Sequence, residues 1–147
     1  MGTFYVKCKI ENPVDRDRSA IVTKTLVDTG SEFSWISGRT LEKIGIRREK
    51  KDIAFVLANG QQVTRSVGFA IIRIAKFFTI DEVVFAEPSD LQLLGARTLE
   101  GLNLCVAPGE GDLWQRGLYQ RRRRRECVEL PDRCESANLV DFIFLTR

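Results

Sequence analysis

This 147-residue sequence predicts an all-β fold of short strands with one or two short helices. Three observations lead to that reading. Residues 4–10 place Phe4, Val6, Cys8 and Ile10 on one side and Tyr5, Lys7 and Lys9 on the other, the period of a half-buried strand. Apolar runs on both sides of Asn59-Gly60 read as a long hairpin. Helical patterning is confined to two brief stretches, and the length suits one compact domain.

In chain order, Asn12-Pro13 and the charged residues 15–18 turn the chain after the first strand. Residues 20–27 return as a second strand, and residues 33–36 supply a third. Strand 53–57, the turn Ala58-Asn59-Gly60-Gln61 and strand 63–74 form the hairpin. Asn-Gly suggests a tight type I′ turn there, since both residues tolerate positive φ. Residues 83–86 and 102–106 complete the strands, whereas 80–85 alone is too short to assign.

The helices are expected at 38–44 and 96–102. Each opens with the same four residues, Arg39-Thr40-Leu41-Glu42 and Arg97-Thr98-Leu99-Glu100. Threonine with a later glutamate is a common helix start, so coincidence and an internal duplication stand as equal readings. The match is much shorter than the periods of repeat architectures.

Composition narrows the chemistry. The sequence has no histidine, which removes the usual base of serine and cysteine hydrolases and a common zinc ligand. Carboxylate chemistry, lysine chemistry or binding remain, and neither a metal nor a cofactor is expected. Cys8, Cys105, Cys127 and Cys134 lack CxxC spacing and the density of a disulfide scaffold, so reduced structural thiols are expected. No run approaches the roughly 18 apolar residues of a membrane span, and residues 1–10 lack a signal-peptide core; a soluble, cytoplasmic protein follows as the expectation.

The net charge of +3 is uneven: residues 1–113 hold 15 basic and 15 acidic side chains, and residues 114–147 hold 8 and 5. A general nucleic-acid surface is therefore not indicated. The texture changes after Pro108-Gly109-Glu110-Gly111, and a boundary near residue 112 divides a domain at 1–112 from a basic extension at 113–147. That extension, expected to be partly disordered, carries five consecutive arginines from Arg121 through Arg125. They read as a solvated run, or as a contact for nucleic acid or an acidic partner. The final apolar run at 139–145 is either a strand for a dimer interface or a loose extension.

Leu26-Val27-Asp28-Thr29-Gly30-Ser31 carries the chemical signal. Two apolar strand residues deliver an aspartate to a turn of small residues. A carboxylate there needs donors to offset desolvation, and the Gly30 N–H, the Ser31 N–H and the Ser31 hydroxyl are the candidates. Taken alone, Asp-Thr-Gly also suits an ordinary turn.

With Val-Leu-Ala-Asn-Gly-Gln at 56–61 and Leu-Leu-Gly-Ala-Arg-Thr-Leu at 93–99, the segment resembles the retropepsin-like, single-lobe aspartic protease family over residues 3–107. Gly95 lies 67 positions after Asp28, and the three elements follow the family's order. The resemblance implies a closed β-barrel of the acid protease fold, of the obligate-dimer type. It also implies an endopeptidase in which Asp28, Thr29 and Gly30 are catalytic. Ser31, Glu32, Leu57, Ala58, Asn59 and Gly60 would contact an extended peptide or protein substrate. The Ala58-Asn59-Gly60 hairpin would act as a flap. Only one Asp-Thr-Gly is present and no Asp-Ser-Gly, so the second aspartate would come from a second copy across a two-fold axis.

Ser31 and Ala96 stand where retroviral enzymes commonly have alanine and arginine, and Arg97 follows one residue late. The Ser31 hydroxyl is expected to stabilise an ionised Asp28 and lower the pH optimum; a brace from Arg97 to Glu32 is a further possibility. Two other readings stay open: a catalytically inactive domain of this fold that binds peptides or dimerises, and a nucleic-acid binder working through its arginine tail.

Overall fold

A computed structural model describes residues 4–106 and 113–115. The chain runs β1 (Tyr5–Glu11), β2 (Ser19–Val27), β3 (Ser34–Ser37), α1 (Gly38–Lys43), β4 (Lys50–Val56), β5 (Gln62–Ile74), β6 (Phe77–Ala86), β7 (Leu93–Leu94), α2 (Ala96–Gly101), β8 (Leu104–Val106) and β9 (Leu113–Gln115). The fold is mostly β, with the two short helices at the expected places. Seven strands pair in the order β1-β2-β7-β3-β6-β5-β4, and β1 also pairs with β5. Pairing among β1, β2, β7, β3, β6 and β5 therefore returns on itself, and β4 lies outside this ring on β5. The hydrophobic interior follows from the alternation: Phe4, Val6, Cys8 and Ile10 are buried and meet Ile72, Ile74, Val83, Phe85 and Leu94. Each such aliphatic side chain contributes about 1.5–3 kcal/mol on burial.

Several boundaries differ from the sequence expectation. β6 spans Phe77–Ala86 instead of 83–86 alone. Asp81-Glu82 interrupts the apolar pattern, and the turn Ala75-Lys76 before it contains no Gly, Pro, Asn or Asp to mark a hairpin. α2 and β8 end and begin around Leu102, which caps the helix, and Asn103, whose φ is 57°. The hairpin tip is not a type I′ turn, because only Gly60 has positive φ, at 81°. The Gly60 amide donates to the Leu57 carbonyl at 2.8 Å and the Leu57 amide to that of Gln61 at 2.9 Å. Ala58-Asn59-Gly60 is thus a three-residue loop with glycine in the left-handed position, braced by the Gln61 amide donating to Asn59 Oδ1 at 2.9 Å. β9 lies just past residue 112, pairs with β8, and buries Leu113 in the core.

The repeated tetrapeptides occupy identical places, 58 positions apart. Gly38 and Ala96 start the helices, Ile44 and Leu102 cap them, and Gly45 and Asn103 follow with φ of 77° and 57°. The parallel pairings obey the same offset: Leu26↔Leu93 and Val27↔Leu94 join β2 to β7, while Val84↔Trp35 and Phe85↔Ile36 join β6 to β3. Trp35 pairs directly with its own counterpart, Leu93. The structure thus contains an internal two-fold repeat, and the position corresponding to Asp28 is Ala86.

The segment 108–111, the arginines 121–125, Cys127, Cys134 and the run 139–145 lie outside the described residues. No helix among the described residues is long and apolar enough to cross a membrane.

Candidate active site

β2 brings Asp28 to a fixed point. The amides of Leu26, Val27 and Asp28 donate to the carbonyls of Gln92 at 3.0 Å, Phe4 at 3.1 Å and Leu94 at 3.0 Å. The strand end is thereby held from both flanks. The Ser31 amide then donates to the Asp28 carbonyl at 3.3 Å and closes the turn, and the Gly30 amide donates to Asp28 Oδ1 at 2.9 Å. Asp28 is half-buried, while Thr29 and Gly30 are exposed.

The far side of the turn is pinned to the start of α2. Ala96 N–H donates to the Ser31 carbonyl at 2.7 Å and Arg97 N–H to the Glu32 carbonyl at 3.2 Å. Gly95 makes this approach possible, because a Cβ there would lie 2.5 Å from the Phe33 carbonyl oxygen and 2.7 Å from that of Glu32. Leu93-Leu94-Gly95 is the cradle of the aspartate turn: the two leucines pair with β2, and Gly95 is the close-packing spacer.

Ser31 corrects the sequence expectation. Its hydroxyl donates to the Phe33 carbonyl at 2.9 Å and its amide to the Asp28 carbonyl, so of the three candidate donors only the Gly30 N–H meets the carboxylate. The tight turn back to Phe33 places an acceptor closer to the Ser31 side chain. Arg97 does approach Glu32, at 3.9 Å, but sits nearer Glu82 at 3.4 Å and Asp81 at 3.6 Å. Its guanidinium also covers the Phe33 ring at 4.9 Å. Glu32 is well exposed, so its pair with Arg97 contributes at most about 1 kcal/mol.

The hairpin residues divide. Ala58, Asn59 and Gly60 are exposed at the tip. Leu57 joins a second apolar cluster with Phe33, Trp35, Ile53, Phe55, Val63 and Leu93. Phe55 meets Phe33 and Trp35 edge-on at 5.7 and 5.2 Å, a favoured aromatic geometry. This partly exposed cluster joins the base of the hairpin to the strand that follows the Asp28 turn. Its aromatic members were not singled out from sequence; the alternation of Phe33 with Trp35 and of Phe55 with Leu57 was the available signal.

Sequence reading also missed a buried polar group behind the turn. Gly95 N–H donates to Ser34 Oγ at 3.0 Å, Ser34 and Thr98 share a 2.6 Å hydrogen bond, and the Thr98 hydroxyl donates to Asp81 Oδ2 at 2.7 Å. All three side chains are buried. On the hairpin side, Arg65 donates to both Asp90 oxygens at 2.7 and 3.0 Å, tying β5 to the loop before β7. Those hydrogen bonds hold the Asp90 carboxyl below the usual carboxylate range. Among the described residues, no three or more acidic or cysteine side chains gather as a metal site requires.

The model of the family described as gag-polyprotein putative aspartyl protease matches residues 20–101. This span takes in the Asp28 turn, the hairpin and the Leu93-Leu94-Gly95 cradle. No match exists among curated proteins.

Proposed function

The chain belongs to this gag-polyprotein aspartyl protease family, and from that premise we propose that it is an aspartic endopeptidase in which two copies each supply Asp28. One observation carries the reading: a half-buried aspartate, gripped by the Gly30 amide, stands in an exposed Thr29-Gly30 turn suspended from Leu94. The internal repeat offers no second carboxylate, since Ala86 occupies the corresponding position. A homodimer about an axis beside the two turns supplies one, with Thr29 of each copy bonding across it.

Two such carboxylates about 3 Å apart share one proton and titrate as a pair. The ionised Asp28 takes a proton from water as the water oxygen bonds to the scissile carbonyl carbon. The protonated partner gives its proton to the carbonyl oxygen, and a tetrahedral diol results. The Asp28 that took the water proton then gives it to the amide nitrogen while its ionised partner takes one from a diol hydroxyl; the C–N bond breaks, an acid and an amine leave, and the pair again holds one proton. The ring of six strands serves as the barrel that holds the turn. The β4–β5 hairpin covers an extended peptide and excludes water, and the peptide pairs as an added strand. Ser31, Glu32 and the hairpin residues Leu57, Ala58, Asn59 and Gly60 contact the substrate, and the cluster around Phe33 and Phe55 favours apolar side chains.

The test is incubation of full-length wild type and Asp28→Asn with denatured protein from acidic to neutral pH, with sedimentation of both. A dimeric wild type that cleaves and an Asp28→Asn variant that does not are expected. Cleavage by both, or by neither while the wild type is dimeric, overturns the proposal.

A further inference from the structure

We propose that Asp81, acting through Thr98 and Ser34, is a positioning residue for the Asp28 turn. The inference rests on the peptidase reading for its kinetic consequence, though not for its structural one. Gly95 is the junction. Its neighbour Leu94 accepts the Asp28 amide at 3.0 Å and its other neighbour Ala96 donates to Ser31 at 2.7 Å, so any shift of this junction shifts the turn. The Gly95 amide itself is held by Ser34 Oγ at 3.0 Å.

The direction of the chain follows from proton counting. A backbone amide can only donate, so Ser34 accepts from Gly95. The Thr98 hydroxyl gives its single proton to Asp81 Oδ2, so Ser34 must donate to Thr98. Every donor in the sequence Gly95, Ser34, Thr98 is satisfied only when Asp81 accepts at its end. Asp81 Oδ1 takes the Glu82 amide at 2.8 Å, with the Arg97 guanidinium 3.6 Å away. A buried, fully satisfied polar chain of this kind admits one arrangement, which locks the geometry of what it holds.

Asp81 lies on β6, Ser34 on β3 and Thr98 on α2, which gives the turn three anchors in the rigid part of the fold. The same position in the other half of the repeat bears out the design: the Ser37 amide, counterpart of Gly95, donates to the Gln92 side chain at 3.2 Å. Gln92 corresponds to Ser34. Among the described residues that chain ends at the Gln92 side chain, and Ala86 stands in the place of Asp28.

The experiment uses the full chain with Thr98→Val, Thr98→Ser and Asp81→Asn, measured by amide hydrogen exchange and by peptide cleavage. Thr98→Val is expected to speed exchange at Asp28, Gly95 and Ala96 by about tenfold or more, with the β1 and β5 amides unchanged. It should lower kcat by about ten- to a hundredfold with KM within about twofold, the scale of a small misplacement of reacting groups. Thr98→Ser keeps the hydroxyl and should restore both. Asp81→Asn leaves one acceptor oxygen for two donors, the Thr98 hydroxyl and the Glu82 amide, and should also speed exchange at Asp28, Gly95 and Ala96; unchanged exchange there would overturn the role of Asp81. The proposal is overturned if exchange rises equally throughout the fold, if Thr98→Ser fails to rescue, or if KM rises in step with the loss of kcat. A wild type that cleaves nothing sinks the peptidase reading, and the exchange pattern still decides the positioning role.

Discussion

Asp28 donates its amide proton to the carbonyl of Leu94 at 3.0 Å, which couples the candidate catalytic turn to a segment 66 positions later in the chain. The turn is therefore only as well placed as the Leu93–Gly101 region that carries it.

Gly95→Ala tests that dependence. The new Cβ would lie 2.5 Å from the Phe33 carbonyl oxygen, and backbone on both sides must move. A loss of about 1–3 kcal/mol is expected from overpacking, measured by urea unfolding, and peptide cleavage should fall further than stability alone explains. Unchanged cleavage would show that the close approach is dispensable.

Ser31→Ala should leave the acid limb of the pH–rate profile where it is in wild type, because the hydroxyl donates to Phe33 and not to Asp28. Removing that hydrogen bond should cost about 1 kcal/mol of stability. An acid limb moved upward would instead place the hydroxyl on the carboxylate.

Asp90→Asn should lower stability at neutral pH by about 2 kcal/mol, the scale of a hydrogen bond between charged groups. Asp90 has a folded-state pKa depressed by the hydrogen bonds from Arg65. Its contribution is complete above the unfolded value of about 4 and is lost as pH falls through the lower folded value. The gap between variant and wild type in unfolding midpoint should thus narrow below about pH 4. A gap that holds constant into strong acid would count against the ion pair as its cause.

Ala75→Gly should raise stability by about 0.5 kcal/mol. Ala75 opens the β5–β6 turn with φ of 50°, a conformation that costs an alanine roughly 1–2 kcal/mol, partly offset by the greater freedom of glycine in the unfolded chain. The check is a shift of the urea midpoint at constant slope.

Much of this architecture was legible in sequence. The alternation of Phe4, Val6, Cys8 and Ile10 marked the interior face of β1. Burial on that face also pushes the Cys8 thiol up to about 11, which disfavours the thiolate. The hairpin around Asn59-Gly60 was visible, although not its turn type, because the loop length depends on how Leu57 and Gln61 pair. The first half of β6 was hidden, since Asp81 reads as a break until Thr98 is seen beside it.

Asp28 itself needed no structure to be found: its strand, its small turn and the family resemblance carried with residues 56–61 and 93–99 are all read from the sequence. Only the tertiary structure decided which groups hold it. Ser31 turned out to bond to Phe33, and Leu94, Gly95 and Asp81 became its supports. Periodicity and motifs report what a residue does with its near neighbours along the chain. Hydrogen bonds between residues many tens of positions apart exist only once the strands have paired in register.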